Sequence, residues 1–283
     1  MNFFSKLNIY KRMNEGQINI CRLSIIGVIL IILFNDYLSS ILNIIVIKSL
    51  LSLNILSIKS AEYGLVRFLI EFINATISLA LICVVLVIIN KHSKKPYSNI
   101  SMPRAIKLNH SYYYGALVII GFRIFFEGSI SHVTKLIPMP ENISNAFEAM
   151  SLSPLYLLLT VCIFAPFIEE FVYRGLFLNG LLKMHPKHSR FAIFLSALIF
   201  AVAHRNIPQG INAFLLGLFL GTVYYKTHSL YLSIFMHFIN NFCAQFISLL
   251  SLGTISIVIQ SIIYVIIGAY LMYRGLKGLD VII

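Results

Sequence analysis

The sequence predicts an all-α polytopic membrane bundle of about eight transmembrane helices, and three observations carry that prediction. Hydrophobic residues make up 59% of the 283 and charged residues 11%, against about 45–50% and about 25% in a soluble globular domain. The apolar runs are long and continuous, without the alternation of a membrane β-barrel. Lys and Arg fall in short segments between those runs, as positive-inside loops do. That placement accounts for the formal charge of +12 without any basic folded domain, so nucleic acid is not expected as a partner.

Taken in order, the spans read 23–47, 63–90, 112–134, 154–182, 191–205, 209–226, 230–251 and 254–273. Asn35 and Asp36 interrupt the first. Arg67 and Glu71 on the second, and Arg123 and Glu127 on the third, have the spacing that puts each pair on one helix face, where the charges neutralise each other. Both pairs read as structural ion pairs. The fifth and sixth spans are short and flank "HRNIPQG", which makes them candidates for tilted or partly re-entrant segments.

Basic residues before the first span (Lys6, Lys11, Arg12, Arg22) and after the second, fourth, sixth and eighth place both termini in the cytoplasm. Cys21, Cys83, Cys162 and Cys243 lack CxxC spacing, and three of them sit inside apolar runs, so they read as small buried hydrophobes. The polar, basic first 22 residues do not read as a cleavable signal peptide.

The fourth span raises the functional question. "FAPFIEEFVYRGLF" carries Glu169, Glu170 and Arg174 into an apolar helix, where each charge costs at least a few kcal/mol. Glu170 and Arg174, four apart, can pair. Glu169 lies one residue off that face with no cation on its own helix, and is left free to cycle a proton. Pro166 should free the carbonyl of Cys162 and kink the helix. Taken alone, this pattern also fits a proton-coupled transporter or a salt-bridged packing motif. Two further spans alter the balance: the fifth ends "SALIFAVAHRN" with His204, and the seventh holds "FMHFINNF" with His237 and Asn241 on one face. A free carboxylate, two His and an Asn supply a base for water, a proton partner and donors for an oxyanion, the parts of a peptide-hydrolysing site.

Glu169-Glu170-x-x-x-Arg174, Phe200-x-x-x-His204 and His237-x-x-x-Asn241, in this order and each within an apolar helix, resemble the three motifs of the CAAX-protease and bacteriocin-processing (Abi) family. These are intramembrane endopeptidases related to the type II CAAX prenyl endopeptidases. The resemblance covers about residues 150–250. With the span boundaries and loop charges it gives four parts: a cytoplasmic segment 1–22, helices one to three across 23–147, a catalytic membrane domain 148–273, and a cytoplasmic tail 274–283.

The resemblance implies that Glu169 activates the attacking water with help from His204, that His237 and Asn241 stabilise the oxyanion, and that Glu170 and Arg174 orient the site. It further implies a membrane-bound peptide or protein as substrate, with peptide maturation or bacteriocin immunity as the setting in bacterial relatives. A composition rich in Ile, Asn and Lys points to a bacterial cell membrane. Glu169, His204 and His237 could form a three-ligand zinc site. Without an HExxH motif the sequence favours a metal-free glutamate mechanism and no cofactor.

Counted from the cytoplasmic end of each span, His237 lies about 10 Å deep, while Glu169 and His204 come out near 20 Å. One site cannot hold both depths, so a boundary or a helix geometry must differ from the simple count. "HRNIPQG", tolerable at depth only against protein or water, is expected to line an aqueous chamber.

Overall fold

The computed structural model describes residues 63–92, 110–151, 153–247 and 256–281, with scattered positions between 37 and 53. The N-terminal segment, most of the predicted first span including Asp36, and the basic loop after the second span lie outside the described residues, as does the side chain of Arg67.

Among the described residues all regular structure is helical. Helix α1 is Tyr63–His92, α2 Ser111–Gly128, α3 Ile130–Thr134 and α4 Glu141–Ser151. Helix α5 is the composite Pro154–Met184, and a single 3-10 turn leads from it to α6, Ser189–Ala203. Then follow α7 Ile207–Thr227, α8 Leu230–Ile247 and α9 Ile257–Gly278. Of these, 5 apolar segments (Phe68–Val85 within α1, α5, Pro186–Ala203, α7 and α9) are long and apolar enough to cross a membrane. They mark an integral membrane protein; the expected count of eight is not reached among the described residues.

The predicted third span, 112–134, is broken near its end. Gly128 and Ser129 interrupt it, with the Ser129 hydroxyl donating to the Phe125 carbonyl at 2.5 Å, a pairing of small and polar residues that commonly kinks helices.

Helix α7 is the axis of the packing. One side of it puts Ala213 and Tyr224 into a cluster with Phe177, Leu178 and Phe200 from α5 and α6. The other side puts Leu216, Leu220 and Val223 against Phe122 of α2 and Met236 of α8. Helices α1 and α9 instead turn residues such as Ile73, Ile77, Ile262 and Ile266 outward, as lipid-facing helices do.

Helices α2 and α9 meet backbone to backbone. A Cβ added at Gly121 would fall 2.7 Å from the Gly268 carbonyl oxygen, and one added at Gly268 would fall 2.5 Å from the Phe125 nitrogen. Such small residues are what lets membrane helices approach closely. Helix α1 docks elsewhere, where the Tyr156 hydroxyl donates to the Glu71 carboxylate at 3.0 Å and ties α1 to the start of α5.

Candidate active site

Helix α5 is not a regular α-helix. Leu158–Phe164 and Phe171–Leu178 are wound as π-helix on either side of the short α segment Ala165–Glu170 that holds Pro166 and both carboxylates. Single π turns inside helices are frequent at functional sites, and here the winding has two consequences. It moves the unpaired acceptor. The Ala165 N–H bonds the Thr160 carbonyl five residues back, so the N–H that Pro166 lacks would have gone to Val161 rather than to Cys162, the α-helical expectation. The side chain of Asn241 on α8 takes up that carbonyl, donating from Nδ2 to Val161 O at 2.8 Å. The winding also shortens α5: with more residues per turn, Phe171–Leu178 advances less along the axis than the regular α-helix that the simple count assumed.

Glu170 and Arg174 are buried together, with side chains 0% and 1% exposed and Nη1 to Oε1 at 2.9 Å. The same Oε1 accepts from His237 Nδ1 at 2.8 Å. The Arg174 guanidinium stacks over the Phe200 ring, 4.7 Å from its centroid, and Phe200 also meets the edges or faces of His204 and His237. Phe200, which opens the second motif, thus packs against the guanidinium and both imidazoles at once.

Glu169 faces the other way. Its side chain is 30% exposed, and Oε2 lies 3.7 Å from His237 Nε2. His237 therefore stands between the two carboxylates, one nitrogen committed to the buried Glu170 and the other turned toward Glu169.

His204 ends α6. Its Nδ1 bonds the Phe200 carbonyl at 2.9 Å, and since a carbonyl only accepts, Nδ1 carries the proton and Nε2 is the free acceptor in the neutral ring. The chain turns there through Arg205 in the left-handed region (φ 56). Asn206 then caps α7, accepting from the Gln209 N–H at 2.9 Å while its own amide donates to the His204 carbonyl at 2.8 Å. This tied corner is the "HRNIPQG" segment.

Glu169, His204, His237 and Asn241 all line one cavity of about 410 Å³, with Pro208 and Gln209 on its wall. The structure thus brings together the four side chains proposed for catalysis and sets the supporting pair, Glu170 and Arg174, behind them. Gln209 belongs to the segment expected to line a chamber; sequence reasoning missed other parts of the polar lining, including Asn240, Asn212 and Arg123. Asn240 donates to Asn241 Oδ1 at 2.9 Å and so orients that amide. The signal for Asn240 was its place beside Asn241; Arg123 and Glu127 stood out only as an ion pair.

Among the described residues no three His, Cys, Asp or Glu side chains are placed to hold one metal ion. Both imidazoles spend Nδ1 on protein acceptors, which leaves Nε2 as the one nitrogen each could offer to a further partner. Cys83, Cys162 and Cys243 are free thiols, with Cys162 buried.

A helical membrane domain with a Glu/His/Asn cavity at a broken helix is the class that fold and site define. Residues 151–243 match the family described as Rce1-like, type II CAAX prenyl endopeptidase Rce1-like, which supports membership of the CAAX-protease and bacteriocin-processing family. The chain is also 26% identical over 151 residues to the UPF0177 protein YvdC of Lactococcus lactis, covering 50% of this chain and 56% of that protein. The chain thus spans about half the length of the curated relative it matches. No solved structure matches it.

Proposed function

We propose that the cavity is the active site of an endopeptidase that hydrolyses a peptide bond in a membrane-associated peptide or protein, with Glu169 as the base. The observation that carries this reading is the division of labour between adjacent carboxylates: Glu170 is ion-paired and sealed, while Glu169 is partly exposed in the cavity, 3.7 Å from His237.

Glu169 takes a proton from a water, and the oxygen attacks the scissile carbonyl carbon. The carbonyl oxygen becomes the oxyanion. The donors available to it are the second Nδ2 hydrogen of Asn241 and, when His237 carries a second proton, its Nε2–H. The proton held by Glu169 then passes to the leaving nitrogen as the C–N bond breaks. His204, with Nε2 as an acceptor, assists in holding the water. Arg174 and Glu170 fix the tilt of the His237 ring.

A cleavage product that forms with the wild-type protein and disappears with Glu169→Ala tests the reading. A transporter would lose flux in that variant with no product in either case, and an immunity scaffold would keep its protective phenotype.

The reading is metal-free. Elemental analysis of gently purified protein is expected to find no stoichiometric metal, and a strong chelator should leave hydrolysis intact. One metal per chain, with activity lost on chelation and restored by zinc, would overturn it.

A further inference from the structure

The cavity contains a second charged group that the proposed chemistry does not use. Arg123 lies on α2, with its side chain 7% exposed, and it lines the same cavity as Glu169. Its Nη2 donates to Glu127 Oε1 and its Nη1 to Asn212 Oδ1 on α7, each at 2.9 Å. A buried arginine held by one carboxylate is usually a neutral pair. Here the other Glu127 oxygen is also reached at 3.3 Å by Lys135, whose side chain is 66% exposed. Arg123 therefore shares its carboxylate with a second cation, while the guanidinium itself lines the cavity. The guanidinium also keeps unspent donors: Nε is buried with no hydrogen-bond partner among the described residues. An unpartnered donor on a buried cation costs stability unless something else meets it.

We infer that Arg123, oriented by Asn212, is a specificity subsite that binds a carboxylate of the substrate while the scissile bond lies at Glu169. The inference rests on the cavity being a peptide site. A planar guanidinium with free donors suits a carboxylate, which accepts on both oxygens. Among the described residues that line the cavity, the other acidic or basic side chain besides the two imidazoles is Glu169, which would repel that carboxylate. The two groups therefore impose one direction on a bound peptide, its acidic group toward α2 and its scissile carbonyl toward α5. The carboxylate could be the chain terminus or an acidic side chain, and the test separates these.

The probe is one short, apolar, fluorescent peptide in three forms: a free C-terminal acid, a C-terminal amide, and the amide with one internal Glu. Binding is measured to the full chain in lipid nanodiscs, on the Glu169→Gln background, so that no turnover is needed. The acid or the internal-Glu form is expected to bind about ten- to a hundredfold tighter than the amide, and whichever gains identifies the source. Arg123→Gln combined with Glu127→Gln removes the pair without stranding a charge and should abolish the gain. Arg123→Lys should keep part of it, and Asn212→Ala should reduce it.

Equal binding of all three forms, binding by none, or a gain that survives the double substitution overturns the subsite. A carboxylate preference without any cleavage of these peptides by the wild type would instead count against the protease reading alone. Cleavage that ignores the carboxylate would count against the subsite alone.

Discussion

Replacing Glu169 with Gln is expected to lower hydrolysis at least ~10²-fold while leaving the fold unchanged. Gln keeps the size and hydrogen-bonding reach of the side chain but cannot accept a proton. Because Glu169 is 30% exposed and belongs to no short ion pair, its neutralisation strands no partner. Glu170→Gln should behave differently. It removes the anion from beside Arg174 and weakens the acceptor for His237 Nδ1, so its damage should be to stability and ring orientation. The comparison is made in purified protein, with unfolding temperature measured alongside turnover. A larger loss of turnover in Glu170→Gln at equal stability would reverse the two roles.

Arg174→Leu should be the most destabilising single change at the site. Removing one partner of a buried ion pair typically costs about 3–5 kcal/mol, because the remaining charge is left without compensation. Glu170, wholly inaccessible, would be that remaining charge, and the stacking of the guanidinium on Phe200 would be lost with it. Adding Glu170→Leu to the same chain should recover much of the stability, since a packed apolar pair has no charge to strand. It should not recover activity, because His237 Nδ1 then has no acceptor and the ring is free to turn. Thermal unfolding in detergent reads the first effect and turnover the second. A single variant as stable as the wild type would show that the pair contributes nothing to the fold, and a double variant with full activity would show that Glu170 does not orient His237.

Much of this was legible in the sequence because a bilayer leaves a chain few options. Apolar runs of the right length must be helices, and the boundaries of α1, α7 and the start of α8 fall within a few residues of the runs that predict them. Glu169, Glu170, Arg174, His204, His237 and Asn241 stood out for a related reason: polar groups at depth are expensive, so few residues compete for attention.

What stayed hidden has no local signature. Nothing in "LLTVCIF" or "FVYRGLF" marks a π register, because the choice between bonding four or five residues back depends on what else can take the displaced carbonyl. Here that is Asn241, eighty residues later in the chain. For Arg123 the ion pair with Glu127 was legible and forms at 2.9 Å, but the rest of its surroundings was not. Its second partner, Asn212, and the competing claim of Lys135 on Glu127 follow only from tertiary placement.

The glycine contact between α2 and α9 has a mechanical consequence. Two helices whose backbones touch at Gly121 and Gly268 cannot roll past each other without a collision of main-chain atoms, so the azimuth of α2 is locked. Arg123 rides on that helix two residues after Gly121, and its bearing toward the cavity is therefore set by α9, a helix that contributes no atom to the cavity wall. A bulky side chain at Gly268, on the far side of α2 and facing no substrate, would act as a wedge that swings the guanidinium off its heading. Helix α9 thus serves as the keel against which one wall of the cavity is trimmed.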